Sequence, residues 1–477
     1  MLDVLGRSLE QLPAGMDIPV LGPRARAFEV DVRPPGSKSL TNRAILLAAL
    51  GEGRSVIHNA LHDAEDARVM VRAVEAMGAR VVERAAGELE VMGVGGRWLV
   101  PHAGLSLDVG GAGTAARFLA AAALHSPGPI TLDGSPRMRE RPMGGLGDPL
   151  SKLGARVEWL GKENCLPVRV VPPEGPIEAP GVLDLAGGAS SQFVSALLLA
   201  APWLATPLTL RLGGSIPSAS YITMTLGLLG KLGATVKSSD NMRVLRVTGP
   251  RHDGVRGLKA FEYEVEPDAS GATYFWGAAA INPGACCRVP GLGEDSLQGD
   301  ALFPALLERM GCKVARKTPA RGGAIENGGP ARFIECRGPA TLKPILADMG
   351  DMPDAAMTLA VVACFAGGSS ILRGVRTLRV KESDRIAALA AELAKVGVKV
   401  VSPVAGDEDV MTITPPEGGL DTSPDVSPVE FETYEDHRMA MSLALIGLRR
   451  PGVRILNPRC VAKTYPEFWK HLALLHG

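Results

Sequence analysis

At 477 residues the chain is long enough for roughly two to four domains with sizeable cores, and 46% hydrophobic against 21% charged residues excludes a disordered or fibrous protein. Lys plus Arg (51) balance Asp plus Glu (51), so no bulk field draws the chain to nucleic acid or to a membrane surface, and any basic site must be local. The seven cysteines, an odd number without a CxxC pair, exclude a disulfide framework and a cysteine zinc site and fit a reducing, cytoplasmic setting.

Residues 1–25 lack a basic start followed by an apolar core and read as a weakly structured extension, not a secretory leader. A strand is expected at Phe28–Arg33. Beyond it, one pattern organises the chain. An amphipathic helix ends in a hydrophobic residue plus Gly, and a β-branched strand follows. This occurs at Val71–Gly78 before Ala79-Arg80-Val81-Val82 and at Pro149–Gly154 before Ala155-Arg156-Val157. It recurs with helix ends at Gly233, Gly311, Gly397 and Gly477, at intervals of 76, 79, 78, 86 and 80 residues. Each Gly suits the left-handed position that closes a helix. Self-similarity at a fixed period marks repeated supersecondary units.

A second series runs in phase with the first. Small or polar residues lead into Ala/Leu-rich helices at Leu40–Leu50, Ala115–Leu124, Phe193–Ala201, Gly271–Ile281, Ala355–Ala366 and Met439–Leu448. Ser, Thr and Asp at these starts are expected to cap them. The helices are apolar on nearly all sides and should be buried. Every unit thus carries one buried helix, one amphipathic helix and intervening strands, an α/β architecture. Six units make two similar domains of three. The last unit lacks a closing strand, and Phe28–Arg33 is assigned to supply it. The expected division is a discontinuous domain, 1–36 plus 267–477, and a continuous one, 37–266, with the active site in the cleft between them.

A helix N-terminus at a cleft offers unpaired N–H groups and a positive dipole end. Lys38, Arg43, Arg117, Arg137, Arg141, Lys381, Arg385, Arg438 and Lys463 cluster at these starts and at a few loops. In a chain without net charge, they point to binding of more than one phosphate or carboxylate. Asp354 and Glu382 lie among these cations, where each reads either as a neutralising partner or as a proton-transfer group. His437 reads either as a capping group or as one that touches the chemistry, and Asp268 as an N-cap. Cys286-Cys287 read as strand core, Cys460 as packing, and Arg68, Arg72 and Arg80 as a solvated face.

Eight segments then carry a resemblance. They are Pro35-Gly36-Ser37-Lys38-Ser39 with Asn42-Arg43-Ala44, Ala112–Arg117, Pro136–Pro142, Ser190–Phe193, Pro353–Thr358, Arg379–Arg385, Asp436–Met441 and Ala462-Lys463-Thr464. In this order they resemble the signatures of 5-enolpyruvylshikimate-3-phosphate synthases over about residues 29–470. The resemblance implies the enolpyruvyl transferase fold: two domains, each of three βαβαββ repeats in an inside-out α/β barrel. It implies transfer of the enolpyruvyl group of phosphoenolpyruvate to the 5-hydroxyl of shikimate 3-phosphate, in chorismate and aromatic amino-acid biosynthesis. Shikimate 3-phosphate would be held by Lys38, Ser39, Arg43, Ser190, Ser191, Gln192, Ser218, Asp354 and Lys381, with Tyr221 against the ring. Phosphoenolpyruvate would contact Lys38, Gly113, Arg137, Gln192, Arg385, Arg438 and Lys463, with Arg117 close by. Gly113 would leave room for it against bare backbone. Asp354 is assigned as the base, and Glu382 with Lys38 as the proton carriers at C3. Neither metal nor organic cofactor is implied, and a cytoplasmic monomer is expected, without nucleic-acid or membrane partners.

Gly111, Phe118, Pro267 and Thr377 depart from the family pattern, and the Ser215–Ser220 segment is longer than its common form. UDP-N-acetylglucosamine enolpyruvyl transferase is the sister reading. It typically has an Asn-x-x-Lys start and a loop Cys, whereas this start reads Ser37-Lys38-Ser39 and Pro136–Pro142 holds no Cys. A non-catalytic phosphosugar-binding homologue is the other alternative. Retention of Lys38, Asp354, Glu382, Arg385 and Arg438 argues against it.

Overall fold

The computed structural model describes residues 2–23, 25–186, 190–214, 216, 218–252, 254–317 and 332–477. The chain forms two compact units, Gly36–Val265 and a discontinuous unit of Met1–Pro35 with Glu266–Gly477.

Each unit is built from three copies of one repeat. In the second copy the strand Leu105–Asp108 leads into the buried helix Gly113–Ala122 and the strand Ile130–Asp133. The helix Gly147–Lys152 and the strands Arg156–Trp159 and Val168–Val171 follow. The first strand pairs parallel with the second, and the fourth lies antiparallel between the second and the third. Four other sheets repeat this order.

The sequence period is the period of one stop signal. Gly78 N–H donates to Glu75 O at 2.9 Å and Ala79 N–H to Val74 O at 3.0 Å. The same two bonds recur at Gly154 and Ala155, Gly233 and Ala234, Gly311 and Cys312, and Gly397 and Val398. All five glycines lie at φ between +79° and +107°, the left-handed conformation that this helix closure requires.

The second helix of each repeat carries one polar face, but the first is buried nearly throughout. Every residue of Ala356–Ala363 is buried. Strands such as Val168–Val171 and Val410–Thr414 alternate buried with half-buried positions. Helices therefore fill the inside of each unit and the sheets coat it. Small side chains let the helices meet: a Cβ on Gly277 would lie 2.8 Å from Thr358 Cγ2. The buried hydroxyls of Thr273 and Thr358 pair at 3.0 Å, which avoids a cost of about 1–3 kcal/mol for an unsatisfied polar group.

Three strands arrive out of chain order. Glu262–Glu264 completes the first repeat by parallel pairing with Glu52–His58. Glu29–Asp31, within the strand expected at Phe28–Arg33, pairs parallel with Cys286–Pro290 and belongs to the fourth repeat. The sixth repeat is closed instead by Gly15–Asp17, antiparallel to Val453–Leu456. This corrects the assignment of Phe28–Arg33 to the last unit. The N-terminal segment is likewise not a loose extension: Leu5, Leu12, Met16, Ile18 and Leu21 are buried in the core of their unit. A three-residue strand is too short to show alternation, so its sequence carried no strand signal.

The helix starts differ in detail from expectation. Ser190, Asp268 and Asp436 accept bonds from Gln192 N, Gly271 N and Arg438 N and cap their helices. Ala112 occupies the N-cap position ahead of Gly113, which places Thr114 inside the helix. Asp354 stands in the 3-10 turn Pro353–Ala355, not at the N-cap of Ala356–Ala363. All seven cysteines are free. Among the described residues, no helix is long and apolar enough to cross a membrane.

Candidate active site

Within the discontinuous unit, the starts of two helices and one turn converge on Arg385. This residue opens the helix Arg385–Ala394 with a side chain only 1% exposed. Its Nε donates to Asp436 Oδ2 at 2.8 Å and its Nη2 to Asp436 Oδ1 at 3.2 Å. Nη2 also reaches Glu382 Oε2 at 2.9 Å, and Nη1 reaches Asp354 Oδ1 at 3.2 Å. Burial works against the guanidinium charge, but Asp436, Glu382 and Asp354 outweigh it and raise its pKa.

Asp354 joins the cations. Its Oδ2 accepts from Arg438 Nη2 at 2.9 Å, and its Oδ1 lies 3.6 Å from Lys381 Nζ. Arg438 Nη1 also donates to the hydroxyl of Tyr274 at 3.4 Å. Burial pushes that phenol up to about 12, against the pull of Arg438. Asp436 accepts from Ser383 Oγ at 3.0 Å and caps Arg438 N at 2.9 Å. Three cations thus meet three carboxylates in a nearly buried network, a cost in desolvation that excellent geometry must offset. Beside it Asp300 is buried, bonded by the Ser270 hydroxyl. Burial, with the Asp354 charge adding to it, pushes the Asp300 carboxyl up to about 7. Lys463 ends the turn Pro458–Lys463 and is half-buried. His437 is 1% exposed, its Nδ1 3.8 Å from Asp436 Oδ1. Burial pushes the Cys460 thiol up to about 12, which suits its reading as packing.

Within the Gly36–Val265 unit, Lys38 opens the first buried helix, and its Nζ lies 3.1 Å from Asp66 Oδ2. Arg43, one turn later, is buried. It donates to Thr225 Oγ1 (2.8 Å), the Ser39 carbonyl (2.8 Å), Ser195 Oγ (3.3 Å) and the Tyr221 carbonyl (3.3 Å). These acceptors are all neutral, and burial pulls the guanidinium down to about 10. Its carbon lies 5.0 Å from the centre of the Phe118 ring, so one departure from the family pattern packs directly on an expected ligand.

Ser190 and Ser191 start the third buried helix, with Gln192 half-buried behind them. Ser218 precedes the helix Ala219–Lys231 at φ 60°, while Ser215 and Pro217 in the same segment lie outside the described residues. Arg137 pairs with Glu140 at 2.8 Å and is 44% exposed. Arg117 donates to the carbonyls of Gly113 (3.2 Å) and Pro142 (2.6 Å), so it ties the second buried helix to the loop that follows. Gly113 is not bare on its Cβ side: an added Cβ would lie 2.7 Å from the Arg141 guanidinium.

Asp66, Tyr274, Asp300, Ser383 and the second role of Asp436 escaped the sequence reading. Asp436 was legible as a cap, but its grip on Arg385 joins residues 51 apart. Asp66 carries only the weak signal of an acid in the first turn of the helix Glu65–Ala76.

Known proteins share both the sequence and the fold of this chain. The EPSP synthase (3-phosphoshikimate 1-carboxyvinyltransferase) family matches residues 24–472. A 3-phosphoshikimate 1-carboxyvinyltransferase from Photorhabdus laumondii is 41% identical over 446 residues, covering 92% of this chain and 95% of its own. One from Yersinia pestis is 41% identical over 448 residues, covering 93% and 95%. Among solved structures, EPSP synthase from Acinetobacter baumannii aligns with a TM-score of 0.74 at 28% identity, covering 95% of this chain and 96% of its own. The enolpyruvyl transferase NikO from Streptomyces tendae, at 19% identity and a TM-score of 0.67 over 96% of each chain, shares the fold. The chain therefore belongs to the EPSP synthase family and has the enolpyruvyl transferase fold.

Proposed function

We propose that this chain transfers the enolpyruvyl group of phosphoenolpyruvate to the 5-hydroxyl of shikimate 3-phosphate, with release of inorganic phosphate, in aromatic amino-acid biosynthesis. The observation that carries the reading is Asp354 held between Arg385 and Arg438, with Lys381 at its side, in a chain of this family.

Arg385 and Arg438, with Lys463, Arg137, Gly113, Gln192 and Lys38, bind the phosphate and carboxylate of phosphoenolpyruvate. Lys38, Ser39, Arg43, Ser190, Ser191, Gln192, Ser218, Asp354 and Lys381 hold shikimate 3-phosphate. The arriving anions compete with Asp354 and Glu382 for the two arginines, and the displaced carboxylates become available for proton transfer, while Asp436 keeps its hold on Arg385. Asp354 takes the proton of the 5-hydroxyl as its oxygen attacks C2, and C3 gains a proton through Glu382 and Lys38. The tetrahedral adduct then returns a C3 proton and expels phosphate. Neighbouring carboxylates favour the cationic character that develops at C2. The enzyme works as a cytoplasmic monomer.

The test is phosphate release from phosphoenolpyruvate with either shikimate 3-phosphate or UDP-N-acetylglucosamine as acceptor. Release with shikimate 3-phosphate alone, lost in Lys38→Ala, is expected. Release with the nucleotide sugar alone, or with neither, would overturn the reading.

A further inference from the structure

The loop that leads to Asp436, the partner of Arg385 and cap of Arg438, is itself held by a buried carboxylate seven residues beyond Arg385 on the same helix. Glu392 is 1% exposed and shares the buried face of Arg385–Ala394 with Arg385. A spacing of seven returns a side chain to nearly the same helix face, about 10 Å along the axis. From there Glu392 Oε1 accepts from the Tyr434 hydroxyl at 2.8 Å. Its Oε2 accepts from Glu432 N–H at 2.8 Å and from Lys395 Nζ at 2.6 Å.

The loop it grips is strained. Tyr434 and Glu435 are successive non-glycine residues in the left-handed region, at φ 53° and 55°. Such backbone persists only where its surroundings over-determine it. Glu432 Oε1 adds bonds from Thr433 N–H (2.9 Å) and Tyr434 N–H (3.2 Å), and Asp436 N–H donates to Thr433 O at 2.8 Å. The next residue in the chain, Asp436, holds Arg385 and caps Arg438. One helix thus fastens this loop twice, by Glu392 at one end and by Arg385 at the other.

We propose that Glu392 is a positioning residue for phosphoenolpyruvate binding: through Tyr434 and Glu432 it holds the left-handed 434–435 turn, and so sets where Asp436 places the Arg385 and Arg438 guanidinium groups. This rests on the function proposed above for those arginines. Neither Glu392 nor Tyr434 touches substrate in this reading.

The experiment uses the full chain with Glu392→Gln and Tyr434→Phe and takes two measurements. The first is steady-state kinetics of phosphate release with each substrate varied. Glu392→Gln is expected to raise KM for phosphoenolpyruvate at least tenfold, with KM for shikimate 3-phosphate within twofold of wild type. Tyr434→Phe, which loses one bond, should shift the same constant by a smaller factor. The second is the rate of phenylglyoxal modification at each arginine, read by peptide mass spectrometry without any turnover. Selective acceleration at Arg385 and Arg438 in Glu392→Gln, with buried Arg43 of the other unit unchanged, is expected. Equal acceleration at all three arginines would show loss of stability alone and overturn the proposal, as would no change at any of them. A wild type that releases no phosphate would sink the proposed function, while the modification map would still decide whether Glu392 positions the arginines.

Discussion

Arg385 and Asp436 form a two-pronged pair in which neither side chain is more than 1% exposed, with Nε to Oδ2 at 2.8 Å. Removing the arginine strands Asp436 and takes one cation from Asp354 and Glu382. Breaking a buried pair on one side costs about 3–5 kcal/mol, because the remaining charge is left without water and without its counter-ion. Arg385→Ala is therefore expected to lose stability of this size in urea unfolding. Arg385→Lys keeps a charge but not the planar fork, so it should fold better than the Ala variant yet still lose most phosphate release. An Ala variant within about 1 kcal/mol of wild type would contradict the network described here.

Asp300 makes stability depend on pH in an unusual direction. Its carboxyl is raised to about 7 by burial and by Asp354, whereas an unfolded aspartate titrates near 3.8. Between these values the unfolded chain has released the proton and the folded chain keeps it, so this group's contribution falls as pH rises. The loss is complete above about pH 7 and amounts to at most about 4 kcal/mol. Asp300→Asn should gain stability over wild type progressively from pH 4 to 7 and hold the gain above that. A pH-independent difference in unfolding free energy would refute the assignment.

His125 works oppositely in the other unit. It bonds the Ala200 carbonyl through Nε2 at 3.0 Å, and burial pulls it down to about 4. It is neutral when folded, so its contribution is intact above pH 6.5 and is lost as pH falls toward 4. His125→Gln should narrow the loss of stability in that window, as measured by thermal melts at pH 4.5 and 7. An identical acid loss in both proteins would exclude His125 as its source.

Gly36 allows a close approach that no other residue can make. A Cβ there would collide with the backbone carbonyl of Asn59, itself at φ 52° with its amide donating to Val265 O at 2.8 Å. The obstacle is main chain, which cannot swing aside. Gly36→Ala should cost about 3 kcal/mol or more, or prevent folding. Near-wild-type melting would show that the 36–59 contact yields more easily than its geometry suggests.

Phe118 packs on Arg43, and its ring face favours the guanidinium charge. Phe118→Leu should cost about 1–2 kcal/mol in stability from the lost packing and cation contact. It should also raise KM for shikimate 3-phosphate several-fold while leaving KM for phosphoenolpyruvate near wild type. Equal rises in both constants would point to a general loosening instead.

The amino-acid sequence alone determined the repeat, because each unit ends a helix with glycine in a left-handed turn and begins another with a wholly apolar stretch. Both are local signals, legible within about twelve residues. It also carried some of the cations, since Lys38 and Arg438 lie at helix starts that could be read directly. What it could not carry were relations between distant residues. Gly15–Asp17 closes a sheet with a strand more than 400 residues away, and nothing in three residues announces that pairing. Asp66 beside Lys38, Asp436 beside Arg385 and Glu392 beside Tyr434 are acids whose roles depend on which donors the fold brings to them. Only tertiary structure decides this, because a carboxylate in water is indifferent to its partner, whereas one removed from water requires it.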